Sequence, residues 1–297
     1  MKIALHDHEK NGYPNLALMK LSAWHKNQND SVEWFDPLLG TYDKIYSSKI
    51  FTWTKTDTYL PKGTEIGGTG FDLTKKLPEE IEHTCPDYSI YDCGKSYGFL
   101  TRGCIRNCKW CFVPKKEGQI KKHADIKEFA RHKEIILMDN NVLAHEHGIH
   151  QIEKIIKLGL KVDFNQGLDA RLIDDSIAKL LSKVKWLAPI RLACDTVDMI
   201  EPIRTAVELL RWHNTTPTRF FCYTLVQGIE DALERVKFLK GINVDPFCQP
   251  YRDKKGTVAS DIQKRFSRWV NHKAIFKSVP WSEYGASKSM HGCRQTQ

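Results

Sequence analysis

The chain has 297 residues, 41% of them hydrophobic, ordinary Gly and Pro counts of 18 and 12, and a formal net charge of +9. That length can bury one large core or two smaller ones; no apolar run is long enough to span a bilayer, and Lys2 to Lys10, short and polar after a brief apolar strand, does not read as a signal peptide. Nine cysteines, an odd number with three of them crowded together, exclude a disulfide framework and point to a reducing, cytoplasmic setting.

The charge is segregated. Residues 1–90 carry 10 Lys/Arg against 13 Asp/Glu, whereas 102–133 and 251–297 each carry 10 against 3. Such segments either steer an anionic partner (RNA, DNA, a nucleotide or an acidic peptide) or form a solvated basic face.

In chain order, Lys2 to Leu5 reads as a strand with His6-Asp7-His8-Glu9 at its C-terminal end. Ligands gather at such ends in open α/β sheets, so this cluster is either a substrate or metal contact or a polar loop. Pro14 to His25 follows at mixed helical spacings, then strands at Val32–Phe35, Tyr42–Thr52 and Glu65–Phe71. This describes a small doubly wound α/β domain over residues 1–75. A linker over 76–96 carries Cys85 and Cys93.

Tyr97 to Pro114 then places Cys104, Cys108 and Cys111 within eight residues, as C-x3-C-x2-C. Soft thiolates at that density suit zinc, copper or an iron–sulfur cluster. A zinc site would need a remote Cys or His to complete it, since no second C-x2-C knuckle follows. Three thiolates without a fourth would leave one iron of a [4Fe–4S] cube open. With Trp110 before the third cysteine, the motif resembles the signature of the radical S-adenosylmethionine (SAM) superfamily. That resemblance implies a [4Fe–4S] cluster on Cys104, Cys108 and Cys111, SAM chelated at the open iron, and a 5′-deoxyadenosyl radical for substrate modification. It also implies an external electron donor of flavodoxin or ferredoxin type. The basic segments favour a nucleic-acid base or nucleotide as the expected substrate, with a peptide or protein side chain or a small metabolite as the alternatives. The N-terminal domain, with Gly67-Gly68 after its last strand, resembles a reduced cobalamin-binding domain, although a helix to wall a corrin is missing. From another class, the chain reads as a non-catalytic, zinc-stabilised nucleic-acid-binding protein.

Strand–helix alternation continues from Gly98. Strands are expected at Gly98–Arg102, Glu134–Met138, Lys161–Phe164, Ile190–Ala193, Arg219–Thr224 and Asn243–Phe247. Helices are expected at Gly148–Leu158, from Asp174-Asp175 through Leu181, at Ile200–Trp212 and at Ile229–Leu239. Six parallel strands with helices between them make a partial (β/α)6 TIM-like barrel over residues 97–250, with chemistry at the C-terminal strand ends. The resemblance then gives roles to the residues there. Asp139, Asn140 and Asn141 would hold the SAM amino group, Asn165 its ribose or the substrate, Arg171 or Arg191 the methionine carboxylate, and Asp195 SAM or substrate. Trp110 would pack over the cluster or the adenine. Cys194, Cys222 and Cys248 read as core thiols.

Residues 251–297 form a basic C-terminal extension. Ile262, Phe266, Trp269 and Val270 share a helix face opposite Lys264, Arg265 and Arg268. Trp281 and Tyr284 follow. Ser287 to Gln297 reads as disordered, with Cys293 a terminal thiol.

Overall fold

The computed structural model describes residues 1–9, 12–38, 40–187, 189–252 and 258–286. The expectations for Ser287–Gln297 and Cys293 lie outside them. Two compact units divide the chain: Met1–Gln166 with Val184–Leu187, and Gly167–Lys183 with Ala188–Gln297.

The first unit opens with β1 (Lys2–Asp7), α1 (Leu16–Asn27), β2 (Ser31–Trp34), β3 (Lys44–Ser48), β4 (Glu65–Gly67) and α2 (Glu79–Glu82). The four strands are all parallel, in the order β2-β1-β3-β4. Ile3, Ala4 and Leu5 are fully buried, as the middle strand of a parallel sheet covered on both faces requires. Asn15 caps α1 by accepting from the Leu18 amide at 3.4 Å. Leu18 and Leu21 of that helix then join Ile3, Leu5, Tyr46 and Ile81 in one core. Gly68, just past β4, has φ +91°, and a Cβ there would stand 2.4 Å from the Lys49 carbonyl oxygen. Close backbone approach therefore accounts for that glycine.

The unit continues with β5 (Ser96–Gly98), β6 (Thr101–Arg102), α3 (Val113–Lys116), β7 (Lys121–Lys122), α4 (Ile126–Phe129), β8 (Glu134–Leu137), α5 (Glu146–Lys157), β9 (Lys161–Phe164) and β10 (Lys185–Trp186). Its second sheet is parallel in the order β10-β9-β8-β5, while β6 and β7 pair antiparallel. Ile152 and Ile155 on α5 are fully buried, as the apolar stripe on that helix anticipates.

The second unit contains α6 (Asp175–Leu181), β11 (Ile190–Ala193), α7 (Ile200–Trp212), β12 (Phe220–Val226), α8 (Ile229–Gly241), β13 (Asp245–Pro250), α9 (Asp261–Asn271), α10 (Lys273–Ser278) and α11 (Trp281–Ala286). Its sheet is β11-β12-β13, again parallel. Alternate residues of β12 (Phe220, Cys222, Thr224 and Val226) are buried. Phe266, Trp269 and Val270 of α9 pack with Val226, Val236, Cys248 and Phe276, and Trp281 and Tyr284 close over them. Ile262, expected on the same face, stays exposed. Of the strands read as one six-stranded set, those before residue 165 pair in the order β9-β8-β5 and those after it in the order β11-β12-β13, with a further parallel bridge from Leu168 to Leu192. No described helix is long and apolar enough to cross a membrane.

Candidate metal centre

The N-terminal sheet positions a site by its winding. From β1 the chain goes to one side to form β2, then returns past β1 to form β3, so the β1/β3 edge is the point where the strand order reverses. Parallel strands all end on one edge, and in such sheets ligands bind outside the carboxyl ends at that reversal. His6 and His8 sit there. Side chains two apart on a strand share a face, and the register sets His6 opposite Ser47 of β3.

Ser47 Oγ lies 3.0 Å from His6 Nδ1 and 2.9 Å from His8 Nε2. The two rings meet edge to face with centroids 4.5 Å apart, and both residues are buried. Their remaining nitrogens face Asp57, with His6 Nε2 at 2.9 Å and His8 Nδ1 at 3.8 Å from its Oδ2. All three ligand atoms lie within 4.8 Å of one another. A hydroxyl oxygen has two lone pairs, so Ser47 can accept from both rings at once. In that state both inner nitrogens present lone pairs toward a carboxylate, an arrangement that repels unless a cation lies between them. Metal-bound histidines are oriented in this way by an outer hydrogen bond.

Burial, aided by the nearby Lys49 ammonium, pushes the His8 pKa down against the pull of Asp57, Glu9 and the Lys55 carbonyl. The ring is therefore held in the neutral form that ligates metals.

The loop carrying Asp57 is held by its neighbours. Glu9 Oε1 accepts from the Ile50 and Phe51 amides and the Thr54 hydroxyl, each at 3.0 Å. Lys49 Nζ donates to Thr56 Oγ1 at 2.8 Å and lies over the Phe71 ring. Tyr59 donates its hydroxyl to Asp57 Oδ2 at 3.0 Å. The His-Asp-His-Glu run thus supplies two ligands and, through Glu9, a clasp for the third.

The cysteine loop is built differently. Both Asp139 oxygens accept from the Leu100 amide, and Oδ1 also takes the Thr101 amide and hydroxyl at 2.6 and 2.7 Å. Burial nevertheless raises the Asp139 pKa to about 6 against those donors. Arg102 grips Glu117 through two bonds of 2.9 Å. Gly103, at φ +86°, passes so close to Gln119 that a Cβ would stand 2.3 Å from its carbonyl oxygen. Cys104 Sγ accepts from the Arg106 amide at 3.3 Å and from Asn141 Nδ2 at 3.5 Å, and Cys111 Sγ accepts from the Val113 amide at 3.4 Å. Trp110 and all three cysteines are half-buried.

Among the described residues, the group of three or more His, Cys, Asp or Glu donors that converges as a metal site is His6, His8 and Asp57, and the thiols of Cys104, Cys108 and Cys111 form no such group. This finding corrects the expectation of a radical SAM enzyme. The [4Fe–4S] cluster on Cys104, Cys108 and Cys111, the bound SAM and the radical modification of a nucleotide, peptide or metabolite are withdrawn with it. So is cobalamin on the N-terminal domain, whose Gly68 has a packing reason. No protein-family model matches the chain, and no curated protein matches it.

The other expected site residues have the following partners. Asn140 is half-buried after β8, and Asn165 ends β9 with its amide on the Leu137 carbonyl. In the second unit, Arg171 is exposed and bound twice to Asp169, at 2.7 and 3.1 Å. Arg191 donates to the Tyr223 hydroxyl at 3.4 Å and lies over Phe221, while Asp195 Oδ1 accepts from the Leu225 amide at 3.0 Å. Sequence reasoning missed Asp57 and Ser47. The only signal in reach was the pair of histidines two apart at a strand end.

Proposed function

We propose that this chain is a zinc-stabilised, nucleic-acid-binding α/β protein with His6, His8 and Asp57 as its metal ligands. The convergence of those three donors to within 4.8 Å carries the reading. Two imidazoles and a carboxylate suit Zn²⁺ and leave its fourth tetrahedral position to water or a ligand. The ion would tie the Asp57 loop to β1, adding its binding free energy to the folding of this unit. The eight described cysteines, none in a disulfide, support a reducing, cytoplasmic setting.

The nucleic-acid part rests on residues 102–133. Lys109, Lys115, Lys121 and Lys122 are exposed there beside exposed Ile105 and Phe112. Ammonium groups meet phosphates without regard to sequence, and an exposed aromatic ring gives a base a face to stack on.

Isothermal titration of zinc into chelator-treated full-length protein tests the metal. The wild type should take up a single ion with a rise in melting temperature, and Asp57→Ala should do neither. Absence of binding in the wild type, or unchanged binding in Asp57→Ala, overturns the assignment. Anisotropy with a single-stranded oligouridylate tests the partner. Affinity should fall linearly in log affinity against log salt and weaken in the Lys121→Glu, Lys122→Glu variant. Indifference to both discards the nucleic-acid part.

A further inference from the structure

Beside the histidines, at the carboxyl ends of β1 and β2, lies a cavity of about 390 Å³ whose wall includes His6, Asp7, Trp34, Phe35, Tyr59 and Tyr91. Its volume falls within the range of small-molecule sites. The aromatic rings form two sets. Trp34 and Tyr91 meet edge to face with centroids 4.9 Å apart, while Phe35 and Tyr59 lie nearly parallel, 7° between planes and 6.4 Å between centroids. Trp34 and Tyr59 are 39% and 48% exposed, a large apolar area to leave in water at the mouth of a concavity.

The charge of this wall is one-sided. Asp7 accepts from the Tyr91 hydroxyl at 2.5 Å and from the Glu9 amide at 3.0 Å, and both donors are neutral. Among the described residues no Lys or Arg lines the cavity, and no ion pair involves Asp7. A carboxylate with neutral partners, in a wall that also carries four aromatic rings, is complementary to a cation whose own surface is apolar. An alkali ion would lose its hydration without gaining oxygens enough to replace it. An anion would face Asp7.

We propose that this cavity binds a small organic cation of the quaternary ammonium class, its head among Trp34, Phe35, Tyr59 and Tyr91 and its charge met by Asp7. The site does not rest on the metal reading; because His6 lies in its wall, an ion held there would oppose a second cation, and the metal-free protein is the state in which the site is read.

Choline and its uncharged isostere 3,3-dimethyl-1-butanol separate charge from shape. Titrated into chelator-treated full-length protein and followed by calorimetry, choline should bind about tenfold or more tightly than the alcohol. Asp7→Asn should remove most of that preference while leaving the alcohol's affinity as it was, and Trp34→Ala should weaken both ligands. Equal binding of the two ligands by the wild type, or binding of neither, overturns the proposal without recourse to any variant. So does an undiminished preference in Asp7→Asn. A protein that takes up no zinc yet still prefers choline would sink the metal assignment and leave this one standing.

Discussion

The histidine centre and the cysteine loop invert each other. Cys104, Cys108 and Cys111 fall within eight residues, yet among the described residues their thiols form no donor group drawn within 4.8 Å; His6 and Asp57 are about fifty residues apart, yet their ligand atoms lie 2.9 Å apart. The loop is fixed by its own hydrogen bonds, from Asp139 into Leu100 and Thr101 and from Arg102 to Glu117. The centre is fixed by tertiary contacts, a strand register that sets His6 opposite Ser47 and a clasp from Glu9 across to the 50–54 turn. Donor density along a chain makes a site possible. Convergence in the fold is what brings the donors together.

The comparison is broken most sharply by exchanging the two donor sets. Replacing both His6 and His8 by Ala should cost more zinc affinity than the roughly 10–100-fold expected for an outer-shell partner. Replacing Cys104, Cys108 and Cys111 together by Ser should leave zinc stoichiometry by calorimetry at the wild-type value. Equal losses in the two variants would mean that the regions share one metal.

The loop's independence of metal has its own test. Asp139→Ala strands the Leu100 and Thr101 amides and the Thr101 hydroxyl in the interior, and should lower unfolding free energy by roughly 3 kcal/mol. Urea titration in the presence of chelator reads it, and a loss seen only with metal bound would contradict the hydrogen-bonded account. The pH dependence has a definite sign. A carboxyl raised from 3.8 to about 6 in the folded state binds its proton more tightly there. Its contribution is full below the unfolded pKa and declines as pH rises through 6.

Glu82 joins the two regions. It lies 3.0 Å from Lys20 of α1 and 3.2 Å from His123, just past β7. Desolvation works against its ionised form, but the His123 and Lys20 hydrogen bonds and the charges of Lys20 and Arg102 prevail and hold its pKa at about 2. A depressed carboxyl contributes stability above its unfolded value of 4.5 and loses it as pH falls toward 2. Glu82→Gln should therefore cost roughly 2 kcal/mol near neutrality, since it removes the charge paired with a buried Lys20 and leaves that ammonium its bond to the residue-82 carbonyl. The difference from wild type should shrink on acidification through that window, and a constant difference by pH-dependent urea melts would rule out an ionic role.

Much of the secondary structure was legible. Lys161–Phe164, Ile190–Ala193 and Ile200–Trp212 stand at the bounds that their apolar patterns indicate. Lys185–Trp186 was not, because two residues carry no period. His6 and His8 were visible as ionisable groups at a strand end. Asp57 lies in a stretch without periodicity, and what brings it over β1 is a set of side-chain bonds from Glu9, Lys49 and Tyr59 whose partners are distant in sequence. The cysteine spacing was plain to read, but spacing records proximity along the backbone and not the direction in which each thiol points.

Ser47 offers the finest test of how the centre works. Its hydroxyl is within 3.0 Å of both rings and touches no ligand position itself, so Ser47→Ala removes orientation and leaves the three donors in place. Outer-shell losses of this kind cost about tenfold or somewhat more in affinity, near 1.4 kcal/mol, smaller than removal of a ligand. Ser47→Thr keeps the hydroxyl and should recover most of that loss. Rescue by Thr but not by Ala would show that the oxygen, accepting from both imidazoles, aims their inner nitrogens at the ion. Equal affinity in all three proteins would mean that backbone register alone suffices, and the centre would then owe its convergence to the sheet.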